Sequence, residues 1–319
     1  MVTVLGMGNA LVDTMIQIEN DQLLRRLGLP KGSMQLVDAD KAAAIREACK
    51  ERPTSQVAGG SASNTIFGLA SLGANTAFIG KIGLDEVGQF FRSDIEAAGI
   101  KPLLFMGTQP SGLAAGLVSP DSERTFGTYL GSAVELSAED LTPELFAGYT
   151  YFHIEGYLVQ NHDLMRRAIS LARQAGCLIS VDLASYNVVT DNLDFLKEIV
   201  AEKLHVIFAN EEEAKAFTGL EPEEAINEIA KVADIAVVKI GSRGALVKSG
   251  HKQVHVPAQR INPVDTTGAG DLFASGFLYG IGNNQSLKEA AELGTKLAAA
   301  VISVIGARPD PTFWEQVRQ

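Results

Sequence analysis

Residues 264–277, VDTTGAGDLFASGF, set a glycine turn, an aspartate and an apolar run back to back. Gly268 and Gly270 flank one small residue, Ala269, and Asp271 follows at once. Behind it Leu272, Phe273, Ala274, Gly276, Phe277 and Leu278 make the small, apolar pattern of a buried helix. The spacing predicts a helix N-terminus with a carboxylate in its first turn. N–H groups at such an end have no partner inside the helix and sit at the positive pole of its dipole. They can therefore hold a phosphate, or the charge that develops on a phosphoryl group in transfer. No bulky side chain obstructs the approach. An aspartate beside this anion hole can accept the proton of an attacking hydroxyl while the N–H groups stabilise the phosphoryl group.

A second stretch lies far upstream. AGGSASNTIFGLASLGANTAFIGKIG (Ala58–Gly83) has paired glycines, Asn64 four residues after the second of them, and later glycines that end a helix and a strand. Taken together and in this order, DTTGAGD and the Ala58–Gly83 stretch resemble the C-terminal and N-terminal signatures of the PfkB family of ribokinase-like kinases. The resemblance extends over essentially the whole chain and leans toward the adenosine-kinase branch, through GNALVD (Gly8–Asp13), FHIEGYLV (Phe152–Val159) and VIFANEEEAKAFTG (Val206–Gly219). It implies one ribokinase-like domain, a three-layer α/β/α sandwich with a mostly parallel sheet and a small β lid.

Roles follow from the matching positions. Asp271 matches the catalytic base, Gly268, Ala269 and Gly270 the anion hole, and Arg124 a lid arginine facing the phosphates. Asp13, Gly60 and Asn64 match positions that hold ribose hydroxyls. Leu11, Leu36, Phe126 and Tyr157 match the apolar cover of a nucleoside base. Lys239, Gly241 and Gly244 match a strand and turn bordering ATP, and Asn210 with Glu213 an NxxE motif associated with Mg²⁺ through ordered water. Asp265 and Thr267 match a monovalent-cation site, which would take K⁺. These assignments make chemical sense. A carboxylate and a carboxamide satisfy vicinal hydroxyls and reject analogues lacking them, and Mg²⁺ commonly keeps several of its waters.

The hydrophobic pattern can be read without the resemblance. Val2–Met7 is a short apolar run suited to a buried strand, and Asp13 is expected just beyond its carboxyl end, where open α/β sheets bind ligands. Residues 14–37 and 101–129 break the alternation of strands and helices and are expected to form the lid. From Tyr149 onward the alternation is regular, which implies a parallel sheet with helices on both faces. Ser286 and Glu289 open the last expected helix with a capping box, and its apolar stripe runs to Val304.

Composition narrows the partners. A formal charge of -11 gives no footing for nucleic acid or an anionic membrane, both of which call for a basic patch. Cys49 and Cys177 form no CxxC pair, which suits a reducing compartment. The apolar start is broken at Asp13 and reads as a strand rather than a leader, so a cytoplasmic enzyme, monomeric or homodimeric, is expected. Gly80-Lys81 lacks the spacing of a P-loop, and GMGNAL lacks the third glycine of a dinucleotide fingerprint. What the resemblance implies is ATP-dependent phosphorylation of a primary hydroxyl, with adenosine the expected acceptor. Two alternatives stay open: a kinase for a free sugar such as ribose or fructose, since Thr267 stands where several nucleoside kinases carry Asn, and a catalytically silent nucleotide-binding protein.

Overall fold

The protein is described by a computed structural model covering residues 2–318 apart from Pro53 and Ser122. Its N-terminal half contains β1 (Thr3–Met7), β2 (Leu11–Gln17), α1 (Gln22–Arg26), β3 (Met34–Leu36), α2 (Ala39–Cys49), β4 (Thr54–Gly59), α3 (Ser61–Ser71), β5 (Asn75–Ile82), α4 (Glu86–Ala97), β6 (Ile100–Met106), β7 (Gly112–Val118) and β8 (Arg124–Tyr129). There follow β9 (Tyr151–Glu155), α5 (His162–Gln174), β10 (Leu178–Asp182), α6 (Tyr186–Asp191), α7 (Leu193–Val200), β11 (Leu204–Asn210), α8 (Glu211–Thr218), α9 (Pro222–Val232) and β12 (Ala233–Lys239). The chain ends in the hairpin β13 (Ala245–Ser249) and β14 (Lys252–Val256), then α10 (Ala269–Gly282), α11 (Leu287–Val301) and α12 (Pro311–Arg318).

The main sheet runs β14-β13-β12-β11-β10-β9-β1-β5-β6 and is parallel from β12 to β6, with the terminal hairpin antiparallel. Alternation along each strand feeds two cores. Leu5, Met7, Ile207 and Ala209 face α5, α7, α8 and α9, while Val4, Val206 and Phe208 face α3, α4, α10 and α11. Chain order reverses between β1 and β9, which opens a crevice outside their carboxyl ends, the usual ligand position in such sheets.

A second sheet, β3-β8-β7-β2-β4, stands over that crevice. One face is covered by α1 and α2, through Ile16, Leu23, Leu24, Ile45 and Leu117, and the other looks into the crevice. Its limits differ from the expected 14–37 and 101–129. Residues 100–106 pair with β5 as the edge of the main sheet, whereas β4 pairs with β2 in the second. Thr54–Gln56 are exposed and lack an apolar run, so the sequence carried no strand signal there. The stretch between β2 and β3 also holds a short helix, α1, where only strands were expected. Near the C-terminus α11 stops at Val301 rather than Val304, and α12 follows, packing Trp314 edge-on to Phe67.

Candidate active site

A cleft of about 1490 Å³ lies between the two sheets, larger than the ~300–1,000 Å³ usual for one small ligand. Its floor takes one polar side chain from the carboxyl end of each strand it crosses: Asn9 after β1, Glu155 of β9, Asp182 of β10, Asn210 of β11 and Lys239 of β12. Ala269, Gly270 and Asp271, in the first turn of α10, complete it.

Gly268 caps α10 with φ 76°, a left-handed conformation that disfavours any residue with a side chain, and a β-carbon there would press on Ala307 at 2.9 Å. The Ala269 N–H donates to the Thr266 carbonyl at 3.2 Å, so this member of the expected anion hole is already engaged. Gly268 lies outside the cleft lining, so the donors that reach the cleft at this pole are the N–H groups of Gly270 and Asp271, which as first-turn residues have no carbonyl before them in the helix.

Asp271 is gripped from α3. Ser61 Oγ donates to its Oδ1 at 2.7 Å and Asn64 Nδ2 to its Oδ2 at 3.0 Å. Asn64 thus reaches the expected base directly. The two helices meet because Ser275 Oγ donates to the Thr65 carbonyl at 2.8 Å and Thr65 Oγ1 to the Asp271 carbonyl at 3.2 Å. Burial pushes the Asp271 carboxyl up to about 6, against the donations from Asn64 and Ser61 and with the help of Asp182's charge. It is therefore ionised at neutral pH and close to the operating range of a general base.

Asp13 approaches from above. It lies on β2 rather than at the carboxyl end of β1, a position held by Asn9, because the chain turns at Gly8-Asn9 into the second sheet. Period-2 alternation puts Leu11 and Asp13 on the cleft side of β2, and across β7 the same face of the sheet carries Phe126 and Thr128 of β8 and Met34 and Leu36 of β3. Burial and the nearby Asp271 push the Asp13 carboxyl up to about 7, opposed by Arg308. Gly60 caps α3 with φ 91°, and a β-carbon there would strike the Asn9 carbonyl. Glu155 pins this corner, accepting from Asn9 N at 2.9 Å, Asn9 Nδ2 at 2.6 Å and Ala62 N at 3.0 Å. Tyr157, 36% exposed, lines the cleft beyond it.

At the far end of the floor Lys239 Nζ donates to Asp182 Oδ2 at 2.7 Å. Asn210 and Glu213 form a reciprocal capping box on α8: both Glu213 oxygens accept from Asn210, at 2.7 Å from the backbone N and 2.6 Å from Nδ2. Burial pushes the Glu213 carboxyl up to about 7, with Asp182's charge adding to it. Among the described residues no cluster of three or more His, Cys, Asp or Glu side chains suits a metal ion. Mg²⁺ fits this floor only as a partly hydrated ion, since Asp182 and the occupied oxygens of Glu213 offer a water-mediated contact rather than a cage. Gly241 lines the cleft, but Gly244 lies outside the lining and serves the turn into β13.

Arg124 and Asp265 find each other instead of separate ligands. Arg124 stands outside the cleft lining, forms an ion pair with Asp265 Oδ1 through NH1, and donates from NH2 to the Val264 carbonyl at 3.0 Å. Asp265 also accepts from Thr267 N at 3.0 Å, Thr267 Oγ1 at 2.7 Å and Gly306 N at 2.7 Å. Burial pushes its carboxyl up, but these donors and Arg124 hold it below the ordinary value. A buried carboxylate needs a counter-charge, and the start of β8 supplies one. The expected phosphate-facing arginine is thus tied to the segment before the anion hole, and the expected monovalent-cation ligand already has a cation.

Comparison with known proteins fixes the family. The profile of pfkB family carbohydrate kinases matches residues 33–313. The chain belongs to that family. As a pfkB kinase it is 36% identical to a probable sugar kinase from Rhizobium etli CFN 42 over 100% of this chain and 98% of the other, with a TM-score of 0.87. It is 34% identical to the adenosine kinase from Sinorhizobium meliloti over 100% and 99%, also at 0.87. The aminoimidazole riboside kinase of Salmonella typhimurium is 26% identical over 278 residues, 81% of this chain and 86% of the other. The fold is accordingly the ribokinase-like α/β fold, and the protein is a phosphotransferase acting on a hydroxyl group.

Ser61, Glu155 and Asp182 were not singled out from the sequence. The signal for the two acids was the one applied to Asp13, a carboxylate at the carboxyl end of a parallel strand. Ser61 gave only a helix-start signal, and what it touches depends on α10, 210 positions away.

Proposed function

We propose that this pfkB kinase transfers the γ-phosphoryl group of ATP to the 5′-hydroxyl of a nucleoside, with adenosine as acceptor. The observation that carries this reading is the pairing of Asp271, ionised at the anion hole, with a cleft-facing apolar wall of Leu11, Leu36 and Phe126 on the same sheet as Asp13. Tyr157 adds to that wall from the floor. A free sugar has no surface that would use it. Likeness to an adenosine kinase at 34% identity supports the same acceptor class.

In this mechanism Asp13 holds the ribose hydroxyls, and the sugar lies with its primary hydroxyl beside Asp271. Asp271 accepts the proton as the hydroxyl oxygen attacks, while the Gly270 and Asp271 N–H groups receive the phosphoryl oxygens. Asn64 and Ser61 orient the base. Asp182 and Glu213 would hold Mg²⁺ through water, and with ATP bound it would neutralise phosphate charge. The second sheet serves as a lid that excludes water as a competing acceptor. A free-sugar acceptor is the second reading, favoured by the 36% identity to a probable sugar kinase.

One panel of nucleosides and free sugars, followed by ADP release, tests the proposal. Turnover is expected with adenosine and near background with ribose and fructose. Turnover confined to free pentoses or hexoses overturns the nucleoside reading and leaves the family assignment intact.

A further inference from the structure

Lys239 occupies a position that bordering a nucleotide does not explain. It ends β12 in register with Asn210 of β11, and its side chain runs along the floor toward α10. Nζ lies 3.0 Å from where a β-carbon on Gly270 would stand, so the ammonium sits over the turn that carries Asp271. It is held there by Asp182 at 2.7 Å. The other oxygen of Asp182 accepts from Ala184 N at 3.1 Å, across a turn in which Ala184 itself has φ 68°, so the carboxylate keeps its aim independently of the lysine. The other expected cation, Arg124, is committed to Asp265.

We propose that Lys239 is a catalytic residue: during transfer its ammonium exchanges Asp182 for the oxygens of the moving phosphoryl group above Gly270. This rests on the kinase reading. In the step, the acceptor oxygen forms a bond to the γ-phosphorus and the bridging P–O bond to the β-phosphate breaks, its electron pair leaving on ADP. The hydroxyl proton goes to Asp271. Lys239 gains and loses no proton and changes only its hydrogen-bond partner. Burial acts to lower its pKa, but Asp182, Glu213 and Asp271 raise it further, so it stays charged. In a chain of formal charge -11 this places one mobile cation where negative charge moves during the reaction.

The test compares Lys239→Met and Lys239→Arg with the parent protein in kcat, in KM for adenosine, and in affinity for ATP and for ADP with aluminium fluoride, a mimic of the transferring phosphoryl group. Lys239→Met is expected to lower kcat by about 10²–10³, the scale for one lost oxyanion donor. ADP–aluminium fluoride affinity should fall by a similar factor, with ATP affinity and acceptor KM within about threefold, well inside that scale. Lys239→Arg should recover part of the loss. Should Lys239→Met unfold because Asp182 is left unpaired, the double variant with Asp182→Asn removes the stranded charge and is expected to show the same kcat loss. Equal losses of ATP and ADP–aluminium fluoride affinity, or kcat within threefold of the parent, overturn the proposal. If Asp271→Asn is nevertheless inactive, the kinase reading survives that failure. A parent protein that consumes no ATP with any acceptor overturns both.

Discussion

The floor of the cleft holds its polar groups through bonds within the protein, whereas the sheet above it leaves apolar side chains open. On the floor Asp271 has Ser61 and Asn64, Glu155 has Asn9 and Ala62, and Asp182 has Lys239 and Ala184. On the second sheet Leu36 and Met34 are 67% and 58% exposed, and the apolar cluster behind them is separate from both cores of the main sheet. Dipoles and charges held in place suit a region that stabilises a transition state, because they need little rearrangement at the moment of reaction, the proposed partner exchange of Lys239 being the one local move. Open apolar surface suits a region whose burial is completed by a ligand. The floor should therefore govern kcat and the second sheet KM.

The sharpest way to break that division is Asp271→Asn. It keeps the shape but removes the proton acceptor, and kcat is expected to fall by about 10²–10⁴ with little change in binding. In the parent protein kcat should fall below about pH 6, as the Asp271 carboxyl becomes protonated. A variant within threefold of the parent, or a flat profile down to pH 5, removes Asp271 from the mechanism.

Asp13→Asn comes next and probes the boundary between the regions. Losing a charged hydrogen-bond partner for the ribose should raise KM for the nucleoside by about 10–10². Stability should move the other way. The folded-state pKa of Asp13, about 7, exceeds its ordinary 3.8, so between those values the folded state binds the extra proton and stability declines as pH rises. Above pH 7 the parent carries the full burden of that partly buried charge. Asp13→Asn should gain about 1–3 kcal/mol there, and the gain should vanish below about pH 4. Thermal melts at pH 4 and pH 8 check both sign and window.

Leu36→Ala should raise KM by no more than about tenfold, as expected for partial loss of one apolar contact, with kcat and melting temperature nearly unchanged. A drop in kcat with KM unchanged would place the second sheet in the chemistry. The smallest expected effect is none. With Arg124 and three N–H or O–H donors already on Asp265, replacing Na⁺ by K⁺ should leave turnover within about twofold, far below the tenfold that 1.4 kcal/mol of cation binding would give.

Local signals carried most of the architecture. Apolar runs of strand length, glycines ending helices and the Ser286 capping box placed nearly every element of the main sheet, since each depends on neighbours a few residues away. β4 and α12 escaped because packing, not periodicity, makes them: β4 pairs with β2 across 42 positions, and Trp314 of α12 closes on Phe67.

The sequence by itself determined the family, the helix N-terminus at Gly268–Asp271 and the alternation of strands and helices in the main sheet. Each is written in residue types and short spacings, which fix backbone conformation and face directly. Only the tertiary structure decided which charges meet. It set Ser61 and Asn64 on Asp271, moved Asp13 from a strand end to the second sheet, withdrew Arg124 to Asp265 and carried Lys239 over Gly270. An ion pair or a buried donor depends on distances between segments as much as 210 residues apart, and no local spacing encodes those distances.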